Sequence, residues 1–82
     1  MDHLPDFDRP AYYEFRVRGR LSPQSSSWFN GMKMLVDETV SPVQTIIRGY
    51  MIDQAALYGT ISRIRDLGLT LLSVMRIEFK ED

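Results

Sequence analysis

DQAALYGTISRIRDLGLTLLSV, residues 53–74, reads as a helix followed directly by a strand. Asp53 suits a helix N-cap, where a carboxylate accepts from an orphan backbone N–H. Ala55, Ala56, Leu57, Ile61 and Ile64 recur with mostly helical spacing. Gly68 is a helix stop, because glycine enters the left-handed region without a Cβ penalty. Leu69 to Val74 is then a run of strand formers. The helix is placed at Asp53–Leu67 and the strand at Leu69–Phe79. A helix feeding straight into a strand points to a mixed domain in which the helix lies on a sheet.

The upstream sequence supplies the rest of that sheet. From Tyr12 to Arg20, Tyr13, Phe15 and Val17 fall on one side and Glu14, Arg16, Arg18 and Arg20 on the other. Period two is the mark of a strand with one buried face. Ser22-Pro23 signals a helix start and Gly31 a stop. The short helix between them carries Trp28 and Phe29, though three consecutive serines are poor helix formers. Met32 to Val36 is a short strand, Asp37 to Pro42 a hairpin loop, and Val43 to Met51 a longer strand. Its inward face has two readings: Val43, Thr45 and Ile47, or Ile46 and Tyr50.

The resulting order is β, short α, β, β, α, β. This is the α+β, ferredoxin-like βαββαβ pattern, a four-stranded antiparallel sheet with a short first helix and both helices on one face. Residues 1–10, with Pro5 and Pro10 among mixed charges, are expected to be a flexible tail, with Phe7 either folding back onto the domain or serving as a short docking element. Residues 11–82 form the single domain. Leu57, Ile61 and Ile64 should meet Phe15 and Val17, and Trp28 and Phe29 should cover the other half. Gly59, inside the helix, is read as allowing close packing.

Composition narrows the function classes. The chain has 82 residues, and a domain this small buries a modest core. An apolar share of 44% is too high for a disordered chain. The formal net charge of −1 argues against non-specific nucleic-acid binding. No cysteine is present, which removes disulfides and thiolate chemistry. No apolar run reaches membrane-spanning length. The acidic, proline-broken start is not a signal peptide. A cytoplasmic protein without membrane contact is expected.

No catalytic residue, cofactor site or metal site is assigned. The single histidine, His3, lies in the expected tail. The paired carboxylates Asp37-Glu38 and Glu81-Asp82 fall in a loop and at the terminus, whereas acid–base chemistry needs a positioned group. Attention goes instead to the sheet face that no helix covers. Arg16, Arg18, Arg48, Arg76 and Tyr50 are read as a surface for a protein partner or a small anion. Ile46, Leu72 and Val74 are read as a dimer face on the same side, where Arg48 could meet Glu14 or Glu78 of a second copy. Tyr50 is the only aromatic clearly available there, and the basic-aromatic RNA-binding pattern is missing, so nucleic acid is not the expected partner.

Two resemblances bear on these expectations. YEFRVRGRL, SSSWF and DQAALYGTISRIRDLGLTLLSV together resemble a group of small uncharacterised bacterial proteins, over roughly residues 13–75. That resemblance implies a compact bacterial domain and brings no catalytic residues. The last of these stretches is also similar to the helix–strand unit of ACT-type amino-acid-sensing domains. In those domains the unit comes first; here it comes last, and Ile52-Asp53-Gln54 stands where a glycine-containing ligand turn would be. The expected function is thus a non-enzymatic interaction or regulatory domain, self-associating through its uncovered face. The alternative is an ACT-like sensor of a small anionic metabolite, using Arg16, Arg18 and Arg48. A small enzyme with its site at a dimer seam is third.

Overall fold

Alternation, capping and turn chemistry lay down six elements in a computed structural model that describes residues 10–29 and 31–77. They are β1 (Ala11–Arg18), a 3₁₀ helix (Pro23–Trp28), β2 (Lys33–Asp37), β3 (Gln44–Met51), α1 (Gln54–Asp66) and β4 (Leu71–Ile77). The strands form one four-stranded antiparallel sheet in the order β2-β3-β1-β4. The fold is therefore α+β with one α-helix among the described residues. The expected tail, His3 and Phe7 included, falls outside those residues apart from Pro10.

The helix starts and stops as its end residues dictate. The Asp53 carboxylate accepts from Ala56 N at 2.8 Å. At the other end Gly68 has φ +77°, Gly68 N donates to Arg65 O, and Leu69 N donates to Ile64 O. This paired closure satisfies carbonyls that a bare helix end would orphan. Ile64 and Leu69 then pack in the same apolar cluster.

Where two helices were expected, the first crossover carries six residues of 3₁₀ helix. Ser22 makes no side-chain cap bond, and Ser27 Oγ donates to Gln24 O at 3.2 Å. Serine hydroxyls compete for the backbone in this way and weaken a helix. Trp28 and Phe29 do not share the core either. Phe29 is buried, whereas Trp28 is 41% exposed. Consecutive side chains on so short a turn point in different directions, and only one reaches the sheet.

The core lies on one side of the sheet. Ala11, Tyr13, Phe15 and Val17 of β1 meet Ile47 and Met51 of β3, Phe29, and Leu57 and Ile64 of α1. Thr45 and Ile47 thus take the inward face of β3, and Ile46 and Tyr50 the outward face. Ile61 is only partly buried, so Leu57 and Ile64 anchor the helix. Among the described residues nothing lies within 4 Å of where a Gly59 Cβ would stand, so no close approach there requires a glycine. The close approach is at Gly49, where a Cβ would sit 2.5 Å from Met32 Cγ.

Thr45 is the buried polar residue that organises the β1–3₁₀ connection. Its hydroxyl donates to Gly19 O at 2.7 Å and accepts from Leu21 N at 3.0 Å. The side chain is fully buried. Thr45→Val keeps the shape but strips both backbone groups of a partner. A loss of about 1–2 kcal/mol is expected in urea unfolding, since unpaired buried groups carry their desolvation cost. A Thr45→Val protein as stable as its parent would show that the hydroxyl contributes nothing.

Candidate functional site: the uncovered sheet face

The site follows from strand register. Residues directly opposite in a ladder share a face. On the side away from α1 the first row runs Ile77, Tyr12, Tyr50. The second runs Met75, Glu14, Arg48, Lys33, and the third Ser73, Arg16, Ile46, Leu35. Arg18, Gln44 and Asp37 make the last.

Charges at the centre are bound to one another. Glu14 accepts from Arg16 Nε at 3.0 Å through one carboxylate oxygen and from Arg48 Nε at 3.0 Å through the other. Arg16 Nη1 also reaches Asp37 Oδ2 and Gln44 Oε1, each at 3.1 Å. Burial pushes the Glu14 carboxyl up, but hydrogen bonds from Arg16 and Arg48 outweigh it and leave the group below its ordinary range. The hydroxyl and amide of Thr39, then Arg16, lower Asp37. Hydrogen bonds to Glu14 and Asp37 raise Arg16. The paired carboxylates of the hairpin are divided, because Glu38 instead pairs with Arg20 at 2.6 Å.

Around this network the face is apolar and aromatic. Leu35 is 43% exposed, and Tyr50 and Met75 are each 53% exposed. Tyr12 and Tyr50 meet edge to face with ring centroids 5.2 Å apart. Tyr12, Tyr50, Lys33, Arg48 and Ile77 line a shallow groove of about 380 Å³.

The structure brings together some of the residues singled out in the sequence and separates others. Arg16, Arg18, Arg48, Tyr50 and Ile46 share the outer face, although Ile46 is buried between Arg16 and Leu35. Arg76 does not join them: it stands opposite Tyr13, on the helix side. Val74 stands opposite Phe15, also on the helix side. Leu72 sits at the register break between the partners of Arg16 and Val17. The expected dimer face of Ile46, Leu72 and Val74 is therefore not assembled. The reason is the bulge. One extra residue in β4 inverts the facing of everything after it. Ser73, Met75 and Ile77 turn outward where Leu72 and Val74 were expected.

Sequence reasoning missed Tyr12, Lys33, Leu35 and Met75. Tyr12 was in plain view, since it shares parity with Glu14, Arg16 and Arg18. The others depended on pairing that local pattern does not encode. Glu78 and the Glu81-Asp82 pair lie outside the described residues. Among the described residues no helix is long and apolar enough to cross a membrane.

A family model described as domain of unknown function DUF8691 matches residues 12–75. The chain belongs to that family. The matched span takes in all four strands almost whole, and with them the rows of the outer face. No curated protein and no solved structure gives a match.

Proposed function

We propose that this domain is a non-enzymatic interaction module that works through its uncovered sheet face. One observation carries the reading: exposed Leu35, Tyr50 and Met75 ring a charge network that is already satisfied internally. Such a surface offers apolar contact at its periphery and needs no new partner at its centre. Arg16, Arg18, Arg48 and Lys33 stand against Glu14 and Asp37, so the described face carries surplus positive charge. That surplus works against stacking two such faces. It favours a partner segment that combines acidic with aromatic or aliphatic side chains. The exchange of Arg48 and Glu14 between copies has no room, because Glu14 is buried under two arginines.

The ferredoxin-like reading belongs to the same proposal. Two helical crossovers bracketing a hairpin, in an antiparallel sheet with β1 and β3 central, support it as a variant whose first helix is reduced to a 3₁₀ turn. The groove beside Tyr12 and Tyr50 favours the small-anion alternative, with Arg48 and Lys33 as cations in place of Arg16 and Arg18.

Selection of displayed random peptides on the immobilised domain tests the main reading. Enriched sequences should be acidic with aromatic or aliphatic anchors. They should lose tenfold or more in affinity for Tyr50→Glu, about the effect of losing one aromatic anchor, and keep it for Tyr58→Glu on α1. Basic peptides, or equal binding to both variants, would overturn it.

A further inference from the structure

We infer that two copies of this chain pair antiparallel along their β2 edges, joining two sheets into one. The inference goes beyond the face reading and does not depend on it. The strand order leaves β2 and β4 as edges. Exposed edges are templates for pairing unless something blocks them. On β4 the bulge at Leu72 interrupts the ladder. A bulge bends and twists an edge away from further pairing. β2 has no bulge, and although Lys33 charges this short edge, Asp37 at its other end supplies the opposite charge. It pairs with β3 over Lys33, Met34, Leu35, Val36 and Asp37 without a register break, and it contains no proline. Among the described residues, no backbone hydrogen bond reaches its outer side.

The strand is also complementary to itself. Laid antiparallel about Leu35, it sets Lys33 opposite Asp37 of the partner subunit, and Asp37 opposite Lys33 of the partner subunit. Leu35 then meets its own copy, and Met34 meets Val36. Lys33, Leu35 and Asp37 stand on the outer face, so two charge pairs flank a leucine contact there. Met34 and Val36 make the matching contact on the helix side. Leu35 and Val36 are both exposed in the single chain, and both would be covered. Asp37 already accepts from Arg16 and Thr39, but a carboxylate has capacity for further donors. Among the described residues Lys33 has no ion-pair partner. The contact is isologous and closes on itself, giving a dimer rather than a fibre. It sets two outer faces side by side, covering Leu35 at the seam and leaving Tyr50 and Met75 of each copy exposed.

The chain has no cysteine, so Leu35→Cys places a single thiol on the two-fold axis. Cross-strand Cα atoms lie about 4.5–5.5 Å apart, within disulfide reach. Mild oxidation should convert Leu35→Cys to a covalent dimer, and Tyr58→Cys on α1 should form no covalent link. Lys33→Asp sets like charges opposite twice and should weaken sedimentation-measured dimerisation about tenfold or more, with Lys33→Arg retaining it. Tyr50→Glu should leave the dimer intact, which separates this contact from the face. The inference is overturned if Leu35→Cys cross-links no faster than Tyr58→Cys, or if Lys33→Asp dimerises as well as its parent.

Discussion

Ile64→Ala should destabilise the domain by about 2–5 kcal/mol, the cost of truncating a buried large aliphatic side chain. Ile64 is 1% exposed and sits where three constraints meet. It faces the sheet among Phe15, Val17, Ile47 and Leu57. Its carbonyl accepts from Leu69 N in the helix closure. Its side chain belongs to the apolar cluster against which Leu69, in the segment leading into β4, is packed. A small domain has only about 5–15 kcal/mol of stability in hand. The loss should therefore be plain in chemical unfolding, as a lower midpoint with an unchanged slope. Ile61→Ala should cost less, because Ile61 is only partly buried. Equal costs for the two would mean the helix is rotated about its axis.

Glu14→Gln should cost about 2–3 kcal/mol, below the ~3–5 kcal/mol of breaking a fully buried pair, because both arginines reach water. The side chains of Arg16 and Arg48 are 28% and 45% exposed, against 10% for Glu14. Removing the carboxylate leaves two guanidinium groups facing a neutral amide on adjacent strands. The pH dependence has a definite sign. Folding lowers the affinity of Glu14 and Asp37 for protons. The unfolded chain therefore binds more protons than the folded one as pH drops through the carboxylate range. The stabilisation is fully present above the ordinary carboxylate values, near 4.5 for Glu14 and 3.8 for Asp37, and is lost as pH falls through the lowered folded values. The parent should lose stability steeply on acidification through this window, and Glu14→Gln should lose less. Parallel acid-unfolding curves would show that Glu14 is not held by the arginines.

Much of this architecture is legible from local chemistry. Asp53 and Gly68 mark the helix because a cap and a left-handed stop are chemical properties of single residues. The period-two pattern of Tyr13, Phe15 and Val17 marks β1 because a sheet has two sides. The first helix is shorter than its start signal implies, because Ser22-Pro23 says nothing of persistence. Ser25, Ser26 and Ser27 decide that, and only a 3₁₀ turn survives. On β3, Thr45 and Ile46 look alike to periodicity, and the hydrogen bonds of Thr45 to Gly19 and Leu21 settle which is inside.

The outer face was harder to read. Its arginines on β1 and β3 follow from alternation, but its acidic centre does not, because Glu14 becomes central only once Arg48 is its ladder partner. On β4 the bulge is decisive. Leu72 and Val74 have the parity of an outward pair if the strand is regular, and one inserted residue sends Val74 inward and Met75 outward. Nothing in LTLLSV announces that insertion, since every residue there is an acceptable strand residue.

Chemical-shift mapping of the domain with a selected acidic, aromatic-bearing peptide would locate the working surface. The resonances moving on titration should belong to Tyr12, Arg18, Lys33, Leu35, Tyr50 and Met75, across the rows of the uncovered sheet. The helix side offers a second concavity, about 300 Å³, lined by Trp28, Met32, Ala56, Thr60 and Arg63. Shifts confined to that groove, with the outer rows unmoved, would place the working surface on the other side of the sheet.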